Sequence, residues 1–167
     1  MPAMNRGLRS GFVAAVFCCA LAPWAWADSA VGCEVASLRS ATHHPSSSVQ
    51  VWVVLSPRMP YALREWPRMA SVARRAGFEL AVFRDPRVPL AEWQAAVQDL
   101  NRDDWRDVPA LDMHLAQTCQ LLNHAPAAVL SRCGNVHAWP VWGVMPDAAW
   151  LHVLNARRVD LERMPCA

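Results

Sequence analysis

Two short apolar segments on either side of a helical pattern constrain the fold of this chain more than any other feature. Residues 49–55 and 78–83 are almost wholly apolar and rich in β-branched or aromatic side chains, as is typical of strands buried on both faces of a sheet. Between them, residues 61–76 place apolar side chains at helical spacing, and Gly77 follows as a C-cap. A strand, a helix and a strand within about 35 residues predict a βαβ unit with parallel strands.

The rest of the chain predicts further helices and then a hairpin. Helical patterns cover residues 90–100 and 108–122. Two apolar runs, 125–131 and 136–144, flank a turn at Cys133-Gly134-Asn135 and predict an antiparallel hairpin. Pro146-Asp147 opens a last helix that ends near Arg158. This order indicates an α/β domain whose mixed sheet has a βαβ N-terminal half and a ββα C-terminal half.

One motif lies where the first predicted strand meets the helix. Residues 59–67 read Met-Pro-Tyr-Ala-Leu-Arg-Glu-Trp-Pro. This stretch resembles the C-P-x-C-R-x-E-x-P pattern of thioredoxin-like reductases, with Met59 and Ala62 in the two cysteine positions.

A second motif matches the same family. Ala125-Pro126 precedes an apolar strand, Gly134 lies in the turn, and the next strand ends at Gly143 before the last helix. The resemblance covers residues 49–158 and implies a thioredoxin-like three-layer sandwich in which Pro126 is a cis-proline facing the Met59 end of the helix. The alternative is another small α/β domain with a hairpin, in which Pro126 is an ordinary strand-edge proline.

The resemblance also predicts that the reductase chemistry is lost. A thioredoxin attacks a disulfide with an activated thiolate and resolves the product with a second thiol. Neither the thioether of Met59 nor the methyl group of Ala62 can do either step. Ser56 would need a neighbouring base, which its sequence surroundings do not supply. We therefore expect a protein that is not an enzyme and needs no cofactor.

What the resemblance leaves is a peptide-binding groove. In this fold an extended peptide pairs with the backbone beside the cis-proline. The residues expected to line the groove are Met59, Pro60, Tyr61, Ala62, Ala125 and Pro126, with Trp66 and His124 near it. Methionine and aromatic side chains suit an adaptable contact with a protein or peptide partner. The alternative is that Met59 and Tyr61 simply cover the core.

The N-terminus predicts export. Residues 1–11 carry Arg6 and Arg9 without an acidic residue, an apolar run follows, and Ala25-Trp26-Ala27 closes it. This is the pattern of a secretory signal peptide cleaved after Ala27. The uncharged run is shorter than the ~20 residues of a membrane-spanning helix, and the residues before Cys18 and Cys19 do not fit a lipoprotein signal. The expected organisation is a signal peptide at 1–27, a leader at 28–48, the domain at 49–158 and a tail at 159–167.

The charge of the exported part excludes some partners. The whole chain has 16 basic and 14 acidic residues, and the signal peptide removes two of the basic ones. A mature chain of zero formal charge does not predict binding to nucleic acid or to an anionic membrane. We therefore expect a periplasmic or secreted protein without a stable membrane anchor.

Four cysteines remain after cleavage, namely Cys33, Cys119, Cys133 and Cys166. An even number in an exported domain predicts two disulfides, with three possible connectivities. Cys33 and Cys166 flank the domain and could tie its ends together, which would leave Cys119 to pair with Cys133. The ~23 Å of extended chain between Pro126 and Cys133 argues against that second pair. Their wide spacing does not predict a zinc site, and the adjacent His43 and His44 lie in a serine-rich loop that predicts a solvated segment.

Two other functions remain open at this stage. One is a thiol-disulfide oxidoreductase that acts through an unconventional cysteine, such as Cys119 or Cys133. The other is an accessory component of a conjugation or secretion apparatus, in which non-catalytic domains of this fold occur.

Overall fold

The computed structural model of this protein describes residues 47–166. The predicted signal peptide, most of the leader, Cys33, His43 and His44 lie outside the described residues. The elements along the described chain are β1 (Gln50–Leu55), α1 (Pro60–Arg75), β2 (Glu79–Arg84), α2 (Leu90–Asp99), a 3-10 helix (Asp103–Trp105), α3 (Met113–Thr118), β3 (Ala127–Arg132), β4 (Asn135–Val136), β5 (Val141–Trp142) and α4 (Asp147–Glu162).

The strands form a mixed sheet in the order β2-β1-β3-β4, and β5 also pairs with β3. β1 runs parallel to β2 and antiparallel to β3. The parallel pair with α1 between its strands is the predicted βαβ unit, and β3, β4, β5 and α4 form the ββα half. The α/β fold class and the thioredoxin-like arrangement are therefore confirmed.

Both faces of the sheet are buried, which makes the domain three layers thick. Val51, Val53 and Leu55 of β1 pack into a core with α1, α2 and α4. Trp52 and Val54, on the other face, pack against α3 and its flanking residues. Alternate side chains of a strand point to opposite faces, so β1 is nonpolar on both sides because helices cover both.

Arg68 fastens α1 to the start of α4. Its guanidinium donates to the Met145 carbonyl at 2.8 Å and to the Asp147 carboxylate, and it also bonds Glu65 one turn back at 2.9 Å. These carboxylates raise the pKa of Arg68. The polar contacts hold the two helices side by side above the sheet.

The predicted helix over residues 108–122 is mostly wrong. Only Met113–Thr118 is helical. Before it the chain runs extended beside β2, because the Arg84 amide donates to the Pro109 carbonyl at 2.9 Å and the Leu111 amide donates to the Arg84 carbonyl at 3.2 Å. Pro109 disfavours the helical conformation of the residue before it, Val108. The helix begins only after Asp112, whose carboxylate caps it by accepting from the Leu115 amide at 2.8 Å.

The second strand of the hairpin, predicted as one run over residues 136–144, is divided into two short strands. β4 and β5 both pair with β3 but are separated by residues 137–140. Pro140 has no N–H to give to a ladder, and the turn at Cys133-Gly134 has both residues at positive φ, of 52° and 79°.

The proposed disulfide pairing is also wrong. Cys133 is bonded to Cys166, with the two Cα atoms 5.1 Å apart, so neither Cys33–Cys166 nor Cys119–Cys133 can form. Cys119 is also disulfide-bonded. Two hydrogen bonds accompany the Cys133 bridge, since Arg132 donates to the Met164 carbonyl at 3.3 Å and Asn135 to the Pro165 carbonyl at 3.0 Å. The C-terminal tail is thereby fixed to the β3–β4 turn.

Across residues 47–166, none of the helices has the length and apolar character needed to cross a membrane.

Candidate functional site

The N-terminus of α1 lies directly beyond the end of β1. Met59 is the N-cap residue, and its backbone amide donates to the Ser56 carbonyl at 3.1 Å. Pro60 occupies the first helical turn, where its missing N–H costs nothing. Ala62 is buried, whereas Tyr61 is 65% exposed. Residues 59–62 therefore present one large aromatic side chain to solvent and carry no thiol.

The Ala125–Pro126 peptide bond is cis and faces this helix terminus. The Ala125 amide donates to Met59 Sδ at 3.1 Å, and the Pro126 carbonyl accepts from the Gly143 amide at 2.8 Å. The structure thus brings together the two sequence motifs, which are 66 residues apart in the chain. The backbone N–H of the residue before the cis-proline is therefore already hydrogen-bonded to the thioether of Met59.

A cavity of about 250 Å³ opens beside this contact. Three segments line it: the turn after β1, the turn after β2, and the chain that leads into the cis-proline. The lining residues are Val54, Ser56, Arg58, Met59, Asp85, Arg87, Leu121, Leu122, Asn123, His124 and Ala125. Parallel strands bring the turns at their carboxyl ends to one edge of the sheet, which is where α/β proteins usually place binding sites.

Asp85 is the buried charge of this cavity, with 2% of its surface exposed. It accepts from Arg87 Nε at 2.9 Å, from the second guanidinium nitrogen at 2.8 Å and from the Arg87 amide at 3.0 Å. Burial would raise the pKa of Asp85, but the hydrogen bonds and the charge of Arg87 hold it below its ordinary value. The carboxylate is therefore ionised and already paired, and it is poorly suited to act as a general base for Ser56.

Arg58 crosses the outer edge of the cavity. Its guanidinium donates to Glu92 of α2 at 3.3 Å and to the Arg87 carbonyl at 3.4 Å. About half of the Arg58 side chain and two-fifths of the Glu92 side chain are exposed, so this pair contributes roughly 0–1 kcal/mol to stability. Its effect is to place α2 against the turn that carries Met59.

Aromatic and polar side chains surround the cis-proline on the other side. A Cβ on Gly143 would lie 3.5 Å from the His124 ring, so that ring packs beside the Gly143 backbone. Trp142, one residue earlier, donates its indole N–H to the Gln120 carbonyl at 3.2 Å and is 37% exposed. His124 lines the cavity beside Met59, whereas Trp66 lines a different cavity.

Disulfide chemistry has no thiol to use at this site. Among residues 47–166 the cysteines are Cys119, Cys133 and Cys166, and all three are in disulfides. Cys133 follows the last residue of β3, whereas Pro126 precedes its first, so about 20 Å of strand separates the two. Cys119 is almost completely buried in the core cluster between α3 and the sheet. None of these sulfurs lines the cavity.

The described residues also contain no cluster of three histidine, cysteine or carboxylate side chains that could hold a metal ion.

Sequence reasoning missed the polar half of this site. The sequence pattern predicts a strand that ends at Phe83 and a helix that ends at Leu122, and it does not single out Asp85 or Arg87. The usable signal was the position of Asp85 at the carboxyl end of a buried parallel strand, where ligand-binding turns collect.

The comparisons with known proteins give limited information. No family model matches the chain, and no curated protein matches it either. Among solved structures it is similar to a secreted Mycobacterium tuberculosis disulfide oxidoreductase homologous to E. coli DsbE, at 18% identity and a TM-score of 0.42. That likeness covers 70% of this chain and 84% of the other. The fold assignment rests on the strand order and helix positions described above, and this likeness adds nothing to the assignment of function.

Proposed function

We propose that this protein is an exported, non-catalytic thioredoxin-like module that binds an extended segment of a protein partner at the Met59–cis-Pro126 site. The observation that carries the proposal is the contact between the two motifs. The fold positions a helix terminus against a cis-proline, as a reductase does, but the helix terminus carries a thioether and a methyl group where thiols are required.

The Met59–Ala125 hydrogen bond supports a binding role. A thioether is a weak acceptor, so exchanging it for a peptide carbonyl on the Ala125 amide gains a stronger bond. A bound strand can therefore displace the Met59 side chain without leaving a backbone group unsatisfied. Met59 protects the N–H in the free protein and then supplies apolar contact in the complex.

The surroundings of the site fit a peptide better than a small polar substrate. Tyr61 is exposed next to Met59, and Trp142 is partly exposed next to Gly143. Tyrosine and tryptophan are enriched at protein interfaces because they contribute large contact area at a low entropy cost. The charged residues of the cavity are already paired, Arg87 with Asp85 and Arg58 with Glu92 of α2, so they do not select a strongly charged ligand.

Export is supported by the sequence of the N-terminus and by the disulfides. Bridges such as Cys133–Cys166 form in oxidising compartments and are rare in the cytosol. We therefore place the partner in the periplasm or outside the cell.

The test is a substitution at the centre of the groove. Met59→Asp places a carboxylate next to the cis-proline and should reduce binding of a phage-selected 12-residue peptide by at least tenfold in calorimetry. Its melting temperature should stay within a few degrees of wild type, because Met59 is partly exposed. Loss of folding would instead show that Met59 is a core residue.

A matched control is Met113→Asp, which alters an exposed methionine at the start of α3 outside the cavity. It should leave peptide binding unchanged. In the wild-type complex, the Ala125 and Gly143 amides should show the largest NMR shifts. Peptides that bind with no shift at either amide would contradict the proposed site.

The competing oxidoreductase is tested separately by insulin reduction. The purified wild-type protein should show no turnover. Turnover that disappears in Cys133→Ser or Cys119→Ser would overturn the non-catalytic assignment.

A further inference from the structure

A second cavity, of about 390 Å³, lies between α1, β2 and the segment around the 3-10 helix. It shares no lining residue with the cavity at Met59. Its volume falls within the range of ordinary small-molecule sites, roughly 300–1,000 Å³. The lining residues are Trp66, Pro67, Ala70, Arg74, Val82, Arg102, Asp104, Trp105 and Val108.

Two indoles form the apolar walls of this cavity. Trp66 is only 2% exposed, and Trp105 is 8% exposed. The Trp105 carbonyl accepts from the buried Trp93 indole at 2.8 Å, which fixes the 3-10 helix against α2. The cavity therefore has a wall anchored by a buried hydrogen bond.

The one carboxylate in the lining is already occupied. Asp104 accepts two bonds from Arg102, at 2.9 and 2.7 Å, and these bonds hold the pKa of Asp104 below its ordinary value. The Arg102 guanidinium also lies 4.2 Å from the centre of the Trp105 ring. This arginine is therefore paired on one side and stacked on the other.

The remaining polar side chains of the lining, those of Trp66, Trp105 and Arg74, carry only donors. The indole N–H groups of Trp66 and Trp105 have no hydrogen-bond acceptor within the described part of the chain. Arg74 likewise makes no ion pair with any residue between 47 and 166. A cavity with apolar walls, free donors and an unpaired cation is complementary to an anion that has a flat apolar body.

We propose that this cavity binds a small aromatic monocarboxylate, with its ring between Trp66 and Trp105 and its carboxylate on Arg74. A single carboxylate suffices because, among residues 47–166, Arg74 is the only lining cation without an ion-pair partner, whereas Arg102 is neutralised by Asp104. The site is independent of the peptide groove, so failure of either proposal leaves the other intact.

The experiment is calorimetric titration of the intact exported protein with 2-naphthoate and with its neutral amide, 2-naphthamide. We expect one saturable site for 2-naphthoate and at least tenfold weaker binding of the amide. Equal affinity for the two compounds, or no saturable binding of 2-naphthoate, would overturn the proposal.

Two neighbouring arginines provide a matched pair of variants. Arg74→Gln should weaken 2-naphthoate binding at least fivefold. Arg75→Gln should leave it unchanged, because Arg75 bonds to Ser71 and does not line the cavity. Both residues are exposed on α1, so both variants should keep the wild-type melting temperature. Equal losses in the two variants would show a general charge effect and would also overturn the proposal.

Discussion

At the scale of single residues, the site around Met59 and Pro126 contains polar groups that are paired within the protein. The Met59 thioether accepts the hydrogen bond of the Ala125 amide, and the Arg87 guanidinium donates to the Asp85 carboxylate. Each pairing removes a polar group that would otherwise be exposed to a partner or unsatisfied in the interior. The consequence is a surface that is apolar and aromatic in character although it lies above a buried charge.

Asp85→Asn tests the buried ion pair. The change removes the charge that holds Arg87 and should lower the free energy of unfolding by about 1–3 kcal/mol at pH 7. The pKa of Asp85 is depressed in the folded state, so its contribution is present above the ordinary carboxyl pKa and is lost as the pH falls through the lower folded value.

Urea unfolding between pH 7 and pH 2.5 measures both effects. Below about pH 4, the wild-type protein should lose more stability than the variant does, and the two curves should converge. Asp99 is exposed and forms no ion pair with any residue between 47 and 166, so Asp99→Asn is the control and should follow the wild type. Curves that stay parallel down to pH 2.5 would rule out a stabilising Asp85 carboxylate.

Gly143→Ala tests the backbone beside the cis-proline. Gly143 has φ of 85°, and a Cβ there would only touch His124 at 3.5 Å. The cost should therefore come from the left-handed conformation and be about 1–2 kcal/mol. Gly77 has φ of 82° and open space around it, so Gly77→Ala should lose a similar amount.

The two alanine variants should differ in their effect on His124. The ring resonances of His124 should shift in Gly143→Ala and not in Gly77→Ala. Unfolding by guanidinium chloride and a histidine NMR spectrum of each variant measure this. A shift in both would mean that His124 reports on overall stability and not on contact.

At the scale of elements, the sequence predicted those parts whose burial pattern is set locally. β1, α1, β2 and α4 were found because their apolar periodicity follows directly from the layers that cover them. α1 runs through Pro67 without ending, because proline removes one hydrogen bond while the packing of Trp66, Met69 and Ala70 persists.

The features that the sequence did not predict depend on contacts between segments that are far apart in the chain. Residues 108–111 have a helical pattern of apolar side chains, but in the structure they run extended along the edge of β2. The contact is a parallel bridge between Arg84 and Ala110. The pairing of Cys133 with Cys166 needs the tail to return to the hairpin turn, which no local pattern indicates. The family resemblance places Pro126 opposite the Met59 end of α1, but it does not indicate the hydrogen bond from the Ala125 amide to Met59. It gives no role to Asp85 or Arg87.

The C-terminal bridge gives a prediction at this scale. Cys133 and Cys166 are 33 residues apart, and for a loop of that length the chain-entropy estimate is about 3–4 kcal/mol. The double variant Cys133→Ser, Cys166→Ser should therefore unfold at a lower guanidinium concentration. Peptide binding should be unchanged, because the bridge lies at the opposite end of β3 from Pro126.

Peptide mapping without reduction checks the connectivity that this prediction assumes. One linked peptide should contain both Cys133 and Cys166, and Cys119 should appear in a different one. A linked pair of Cys119 and Cys133 would contradict the structure.

At the scale of the whole molecule, the strand order and the helix terminus that faces a cis-proline form a thioredoxin-like arrangement, with Met59 and Ala62 in the positions where the resemblance places two thiols. The double variant Met59→Cys, Ala62→Cys should therefore form a disulfide within the first turn of α1 and gain insulin-reductase activity. The thiol at position 59 lies at a helix N-terminus, which lowers a cysteine pKa. The wild type and each single variant should remain inactive.

Mass spectrometry after alkylation, together with the insulin assay, measures this gain of function. A double variant that folds and forms the disulfide but shows no turnover would mean that the groove does not admit a disulfide substrate. A double variant that cannot form the disulfide would contradict the alignment of Met59 and Ala62 with the catalytic pair.

The attachment of the C-terminal tail to the β3–β4 turn gives the molecule two unlike poles. The covalent anchor lies at one end of the sheet and the cis-proline surface at the other, about 20 Å of strand away. If a sensor chip or a fusion partner were joined near Cys166, the proposed groove at Met59 and Pro126 would face away from the attachment. Attachment at the Cys166 end of β3 would therefore leave the cis-proline end accessible to a ligand.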